Sequence, residues 1–203
     1  MTLTVEPVEN VLTLPEGPLA EACLSLARTT ERAPIADHSI RSFLYARLLA
    51  EHEDSVHDSA YDEDLLFAAC VLHDLGLGSR ARGETRFEVE GADLAAALLS
   101  DDGLAAPDVD RVWEAIALHS CLRIADRLGL LTYLTHRGVM IDVGRDAVEM
   151  DGLAIVRDVY PRPANDNSIA DAIVAHASRS EACAPPGSLA AELLRQRRAG
   201  ERM

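Results

Sequence analysis

The strongest constraint in the sequence is an eight-residue run, Leu65 to Leu72, in which every residue is apolar. An aspartate at 62 or 64 can cap a helix before this run, and Gly76 and Gly78 follow it as a stop signal. A helix that is apolar on every side has no face to offer to solvent. The run therefore predicts a buried helix at the centre of the molecule, ending near Asp74.

Helical spacing recurs along the rest of the chain, whereas few segments alternate with the two-residue period of a strand. Ile40, Phe43, Leu44 and Leu48 form one apolar stripe, which predicts a helix from about 37 to 51. Further helices are expected after Gly17, over 87–99, after Pro107, over 124–142 with breaks near Gly129 and Gly138, and over 169–178 and 189–198. The stretch 160–167 is expected to be a loop, and the predicted fold class is all-α.

The length of 203 residues favours a single domain that can bury a core without covalent clamps. We expect one domain over 1–203, with a core at about 36–163 and a C-terminal helical extension at about 164–203. The four cysteines, at 23, 70, 121 and 183, lie far apart and form no CxxC pair. They are expected to be buried free thiols in a reducing cytoplasm.

The charge balance excludes several classes of partner. Asp and Glu number 34 against 19 cations, all of them Arg, so the formal net charge is −15. This charge opposes docking on nucleic acid and on anionic membranes. The longest apolar run is far short of the ~20 residues of a membrane span, and residues 1–18 lack the cationic segment of a signal peptide. We expect a cytoplasmic protein with a small neutral substrate and no nucleic-acid or membrane partner; a homo-oligomer is allowed.

His73 and Asp74 stand together at the end of the most apolar helix. A buried imidazole and a buried carboxylate both need compensation, which a divalent cation would supply. Adjacent helical residues point ~100° apart, so other helices must bring ligands to the opposite side of the ion. His38 and Asp142 are the candidates, and the alternative is an ion pair that ends the helix.

The order His38, His73-Asp74, Asp142 on a helical background resembles the HD superfamily of metal-dependent enzymes. Six segments resemble its cyanamide hydratase branch and together span about 37–163: DHSIR at 37–41, LHDLG at 72–76, RFEVEGA at 86–92, WEAIALHS at 113–120, GVMIDVG at 138–144 and YPR at 160–162. The resemblance implies metal ligation by His38, His73, Asp74 and Asp142, and hydration of a small nitrile such as cyanamide to urea.

A set of oxygen and nitrogen ligands without thiolate suits one divalent transition metal, with Zn expected first and Fe(II) or Mn as alternatives. Asp74 is expected both to bind the ion and to manage the proton of a bound water. His119 and Glu88 are candidates for catalysis or substrate contact, and the alternative for Glu88 is an ordinary first-turn acid. Arg41 is expected to contact substrate or to pair with Asp37.

One position departs from the branch and two other functions stay open. Leu77 stands where fungal cyanamide hydratases tend to have Thr, so it is expected to alter substrate contact. A phosphohydrolase would need a cluster of cations, which four arginines could supply: Arg41, Arg80, Arg82 and Arg86. The third hypothesis is a non-catalytic binding module.

Residues outside the site receive structural predictions. Four further histidines are expected on the surface: His52, His57, His136 and His176. Three aromatic residues are expected in the core: Phe43, Phe87 and Trp113.

Overall fold

The structure, a computed structural model, describes residues 11–200, and every regular element in that range is helical. The all-α prediction is confirmed. The α-helices are α1 (Pro18–Thr30), α2 (Ala33–His52), α3 (Glu63–Leu72), α4 (Phe87–Asp101), α5 (Ala106–Leu118), α6 (Leu130–Asp142), α7 (Leu153–Val159), α8 (Ser168–Ala177) and α9 (Leu189–Gly200). Short 3₁₀ turns lie at Ser55–His57, Leu75–Leu77, Ala125–Arg127 and Glu181–Cys183.

Helix α3 occupies the centre of the core, as its composition predicts. The Asp62 side chain accepts the Leu65 N–H at 3.0 Å and caps the first turn. All eight residues from 65 to 72 are buried, and the helix packs against α1, α2, α5 and α6. The α-helix ends at Leu72, earlier than predicted, and a 3₁₀ turn follows it. His73 and Asp74 therefore lie at the junction between helix and turn, inside the core.

Helices α2 and α6 form the most extensive helix pair, and a glycine lets them approach closely. The sequence predicts a break at Gly138, but the residue lies inside α6. A Cβ at this position would meet the Ser42 carbonyl oxygen and would come within 2.8 Å of the Ala46 Cβ. Gly138 therefore does not break α6. It lets the two helices approach closely, because a side chain at this position would collide with the backbone of Ser42.

The last two helices pack on each other and build a second, smaller core. Its buried members are Phe87, Ile173, Ala177 and Ala190. Half-buried aliphatic side chains pack against it: Leu77, Ile169, Leu189, Leu193 and Leu194. Helix α7, which the sequence pattern does not predict, packs on α2. Residues 160–167 form a loop, as predicted.

Three of the burial predictions for histidines and aromatic residues are wrong. His136 and His176 are buried because each finds a backbone acceptor: the His119 carbonyl at 2.6 Å and the Thr85 carbonyl at 2.9 Å. Trp113 is 36% exposed, since its indole N–H donates to Asp93 at the surface.

The other burial predictions agree with the structure, apart from one thiol. Phe43 and Phe87 are buried, whereas His52 and His57 are exposed. Three of the four cysteines are buried, and burial raises the pKa of Cys23 and of Cys70 to about 12. Cys121 is only half-buried.

Two predictions reach beyond the described residues. The signal-peptide argument concerns 1–18, of which 1–10 lie outside them, and the expected domain limits include 201–203, which also lie outside. Among the helices of residues 11–200, none has the length and apolarity that a bilayer crossing demands.

The close crossing of α2 and α6 predicts that Gly138→Ala destabilises the protein. The added methyl must displace backbone, and overpacking of this kind costs about 1–3 kcal/mol in the free energy of unfolding. Gly129→Ala is the control, because a Cβ there meets no atom within 4 Å and φ is −58°. We expect this control to stay within about 0.5 kcal/mol of wild type in urea unfolding. Equal stability of Gly138→Ala and wild type would contradict the observed crossing.

Candidate metal centre

Three histidines from different helices surround the Asp74 carboxylate. His38 comes from the first turns of α2, His73 and Asp74 follow α3, and His119 caps the C-terminus of α5. Asp74 Oδ2 lies 3.3 Å from His73 Nε2 and 3.8 Å from His38 Nε2, and Asp74 Oδ1 lies 3.9 Å from His119 Nε2. His38 Nε2 and His73 Nε2 are 3.2 Å apart. All four side chains are at least 96% buried.

The three imidazoles are oriented by the same kind of hydrogen bond. Each ring places Nδ1 within hydrogen-bond distance of an oxygen, so that Nδ1 carries the proton and Nε2 presents a lone pair. The acceptors are the Cys70 carbonyl for His73 (2.7 Å), the Ile116 carbonyl for His119 (2.7 Å) and Asp142 Oδ2 for His38 (2.5 Å). Hydrogen bonds of this type hold imidazole ligands in metal sites.

The donor atoms fit a divalent cation. One ligand atom from each of His38, His73 and Asp74 lies within 4.8 Å of the other two, and all three residues are buried. Asp74 Oδ2 is buried without a hydrogen-bond partner, which is costly for a carboxylate. A cation at the centre of this cluster would supply that partner. Three protein ligands with further open positions are typical of catalytic zinc sites, and the oxygen and nitrogen donors also suit Fe(II) and Mn.

Asp142, expected from the resemblance as a fourth ligand, lies outside this three-residue cluster. Its Oδ1 accepts from Arg41 Nε at 2.5 Å, and its Oδ2 accepts from Arg41 Nη2 at 3.0 Å and from His38 Nδ1. Burial opposes ionisation, but the hydrogen bonds and charges of His38 and Arg41 lower the pKa of Asp142 to about 2. Arg41 is buried and forms its ion pair with Asp142, not with Asp37.

The charges inside the centre set the protonation of His73 and His119. Burial lowers the pKa of the His119 imidazole, and the neighbouring His73 lowers it further, to about 4. Burial acts in the same direction on His73, but the negative charge of Asp74, 3.3 Å away, outweighs it and raises the pKa of His73. His119 is therefore neutral at pH 7.

Glu88 is fully buried in the first turn of α4 and faces Ser120 and Arg86. It accepts from Ser120 Oγ at 2.6 Å and from Arg86 Nη2 at 3.1 Å. Burial raises the pKa of Glu88, but the hydrogen bonds from Arg86 and Ser120 outweigh it and lower the pKa overall. The Glu88 carboxylate is therefore ionised and held in place by hydrogen bonds. It does more than stabilise the first turn of α4, which was the alternative for this residue.

A cavity of about 150 Å³ opens onto the centre. Of the predicted site residues, four line it: His38, His73, Asp74 and His119. Four others do not: Arg41, Leu77, Glu88 and Asp142. Leu77 instead packs against the second core. The other three lie behind the lining residues. Asp142 is hydrogen-bonded to His38, Arg41 to Asp142, and Glu88 to Ser120.

Most of the lining was not predicted. Besides Phe87 and Ser120, it comes from two regions: Val139, Met140, Val143, Arg145 and Arg162 from α6 and the chain after it, and Ile169, Ala170, Ile173, Leu189 and Leu193 from α8 and α9. Ser120 had a signal in the sequence, since it directly follows His119. The aliphatic residues had none, because a side chain that lines a cavity and one that fills a core give the same helical periodicity.

The comparisons with known proteins agree with the motifs. The family model described as "HD domain" matches residues 35–183, which include every predicted metal ligand. Two relatives from Saccharomyces cerevisiae, cyanamide hydratase DDI2 and cyanamide hydratase DDI3, are each 26% identical over 136 residues, or 64% of this chain. The chain spans 60% of the length of these curated relatives. The predicted resemblance is confirmed: the chain belongs to the HD domain family.

Proposed function

We propose that the protein is a metal-dependent enzyme that adds water to a small nitrile-like substrate, with cyanamide-to-urea hydration as the reaction to test first. One observation carries the proposal: three oriented imidazoles surround the Asp74 carboxylate beside a cavity, and one oxygen of this carboxylate has no hydrogen-bond partner. The similarity to two proteins named cyanamide hydratase supports this reaction over other chemistry of the family.

His38, His73 and Asp74 would hold the cation, and Asp142 would hold His38 in its ligating orientation. When bound, a divalent transition metal supplies a water whose pKa is lowered towards neutrality and polarises an electrophile beside it. Zn is our first candidate, and Fe(II) or Mn fits the same donors. Asp74 has a second proposed role, since its other oxygen, Oδ1, lies towards His119 and can accept a hydrogen bond from the attacking water.

His119 is the proposed proton carrier. His119 lines the cavity, and its pKa of about 4 leaves the imidazole unprotonated at neutral pH, so its Nε2 can take a proton from water while the water oxygen bonds to the nitrile carbon. It then returns that proton to the nitrile nitrogen. The product of these steps is the isourea tautomer, which rearranges to urea without loss of any atom.

Glu88 is proposed to position the substrate through Ser120. Ser120 lines the cavity, and its hydroxyl donates a hydrogen bond to Glu88. Its oxygen lone pairs are then available to accept a hydrogen bond from a substrate N–H. An amino group beside the nitrile, as in cyanamide, would satisfy this acceptor.

The phosphohydrolase alternative finds little support in the positions of the arginines. Arg41 is paired with Asp142, and Arg86 with Glu88. Arg80 and Arg82 line a different pocket. None of the four arginines of the predicted cation cluster lines the cavity; Arg145 and Arg162 do line it, but the net charge of −15 opposes anionic substrates. A small neutral substrate is therefore our proposal.

Removal of a proposed ligand is expected to abolish metal binding. Wild-type protein purified without chelator should carry about one divalent transition metal per chain by elemental analysis. His73→Ala and Asp74→Ala should retain less than about a tenth of it, because each removes a buried donor from a three-residue set. His52→Ala, at an exposed position, should keep the wild-type metal content. Metal-free wild-type protein, or full metal content in Asp74→Ala, would contradict the proposed centre.

Metal-loaded protein is expected to convert cyanamide to urea, measured by urea formation. His119→Ala should lower kcat by about 10²–10⁴-fold, the usual contribution of a general acid–base, without loss of metal. His57→Ala, whose side chain is 80% exposed, should be unaffected. Release of phosphate from nucleotides without urea formation would favour the hydrolase. Bound metal with neither activity would favour a binding module.

Arg41→Leu is expected to weaken metal binding, although Arg41 does not line the cavity. Loss of the guanidinium leaves the buried Asp142 charge uncompensated, at a cost of about 3–5 kcal/mol in unfolding, and frees His38 to turn. Changes behind metal ligands typically cost 10–100-fold in affinity, which chelator competition would measure. Arg127→Ala, which breaks an exposed ion pair with Asp126, is the control. Unchanged affinity in Arg41→Leu would contradict the proposed role of Asp142.

A further inference from the structure

The cavity is larger than a cyanamide molecule requires. It measures about 150 Å³, whereas a water-sized group needs roughly 10–15 Å³ on this scale. Cyanamide has three non-hydrogen atoms and would therefore use roughly a third of the space. The remainder would hold only water if cyanamide were the sole substrate.

The remaining space is bordered mainly by aliphatic side chains. Five residues from α8 and α9 line it, and we call the four with branched side chains the aliphatic wall: Ile169, Ile173, Leu189 and Leu193. Val139, Met140 and Val143 add apolar surface from the end of α6 and the residue after it. An aliphatic surface holds water poorly, because it offers no hydrogen bonds, and it binds alkyl groups favourably. The wall therefore favours a substrate with an apolar part.

Apart from the exposed Arg145, the polar side chains of the cavity lie at the metal centre or form hydrogen bonds elsewhere. Arg162 donates from Nη1 to the Asp142 carbonyl at 3.0 Å and from Nη2 to the Asp166 carbonyl at 3.3 Å. The interior thus combines one polar end with an apolar remainder, the usual design of a small-molecule site.

The aliphatic wall is held at a defined place relative to the proposed proton carrier. Phe87 belongs to the second core together with Ile173, and its ring packs edge-on against His119 at 5.7 Å between centroids. Phe87 also lines the cavity. A substituent seated on the wall would therefore orient the reacting group of the same molecule towards His119.

We propose that the substrate carries a short alkyl group, of about three or four carbons, beside its nitrile-like group, and that this group binds the aliphatic wall. An N-alkyl cyanamide is the chemical class that fits. Addition of water to its nitrile carbon gives the N-alkylurea, with both hydrogens of water retained in the product. This inference rests on the proposed hydration.

The test compares cyanamide with its N-methyl, N-propyl and N-butyl derivatives, with each urea quantified by mass spectrometry. Each buried methylene should raise kcat/KM by about fourfold, the equivalent of ~0.8 kcal/mol, so the propyl or butyl compound should exceed cyanamide by at least tenfold. A ratio of one or less would overturn the inference and leave the proposed hydration intact. Absence of urea from every compound would count against the hydration itself.

Matched variants on α9 test the wall directly. Leu193→Asn places a polar group of similar size in the cavity and should remove most of the alkyl preference, measured as the ratio of kcat/KM for the propyl compound to kcat/KM for cyanamide. Leu194→Asn is the control, because Leu194 packs on the same second core but does not line the cavity. Equal loss of preference in both variants, or no loss in Leu193→Asn, would overturn the assignment. Ile169→Asn repeats the test if Leu193→Asn does not fold by circular dichroism.

A binding measurement tests, independently of turnover, whether the aliphatic wall binds an alkyl group. Calorimetric titration of the metal-loaded protein with urea and with N-butylurea should show at least tenfold tighter binding of the butyl compound. The difference should persist in Leu194→Asn and shrink in Leu193→Asn. Equal affinities for the two ureas would overturn the inference whether or not hydration occurs.

Discussion

The buried Asp74 carboxylate is the interaction on which the rest of the site depends. A carboxylate in the core is strongly unfavourable unless opposite charge and hydrogen-bond donors surround it. Three helices place an imidazole Nε2 within 3.9 Å of it, yet Asp74 Oδ2 keeps no hydrogen-bond partner. Imidazole lone pairs and a carboxylate are together a set of donors for a cation. The site therefore needs an ion to complete it, and the fold provides the remaining geometry.

The helical core holds this geometry through a second layer of contacts. Helix α3 ends at the centre of the core, so that His73 and Asp74 follow it without solvent contact. The close approach of α2 to α6 at Gly138 brings Asp142 to His38 and Arg41, and Asp142 orients His38, a proposed metal ligand, through the hydrogen bond to its Nδ1. The packing of α2 on α6, the Arg41–Asp142 ion pair and the orientation of the His38 ring thus depend on one another.

The sequence predicts the fold class and the centre of the site well, because both follow from local patterns. A fully apolar helix followed directly by His73-Asp74 forces these two polar residues into the core. His38 and His119 each occur in a motif near the end of a predicted helix. Long-range partners leave no such pattern. The burial of His176 depends on a carbonyl 91 residues away, and the partner of Asp142 is decided by how closely two helices approach. The aliphatic wall was also missed, since cavity-lining and core-filling residues have the same periodicity.

The central claim is that imidazole and carboxylate ligands from His38, His73 and Asp74 hold one divalent transition metal. X-ray absorption at the metal K-edge of the purified protein tests it most directly. We expect four to six oxygen or nitrogen donors at about 2.0–2.2 Å, with the multiple-scattering pattern of two imidazoles and no sulfur. A sulfur shell at about 2.3 Å, or the absence of imidazole scattering, would place the metal elsewhere and contradict the account.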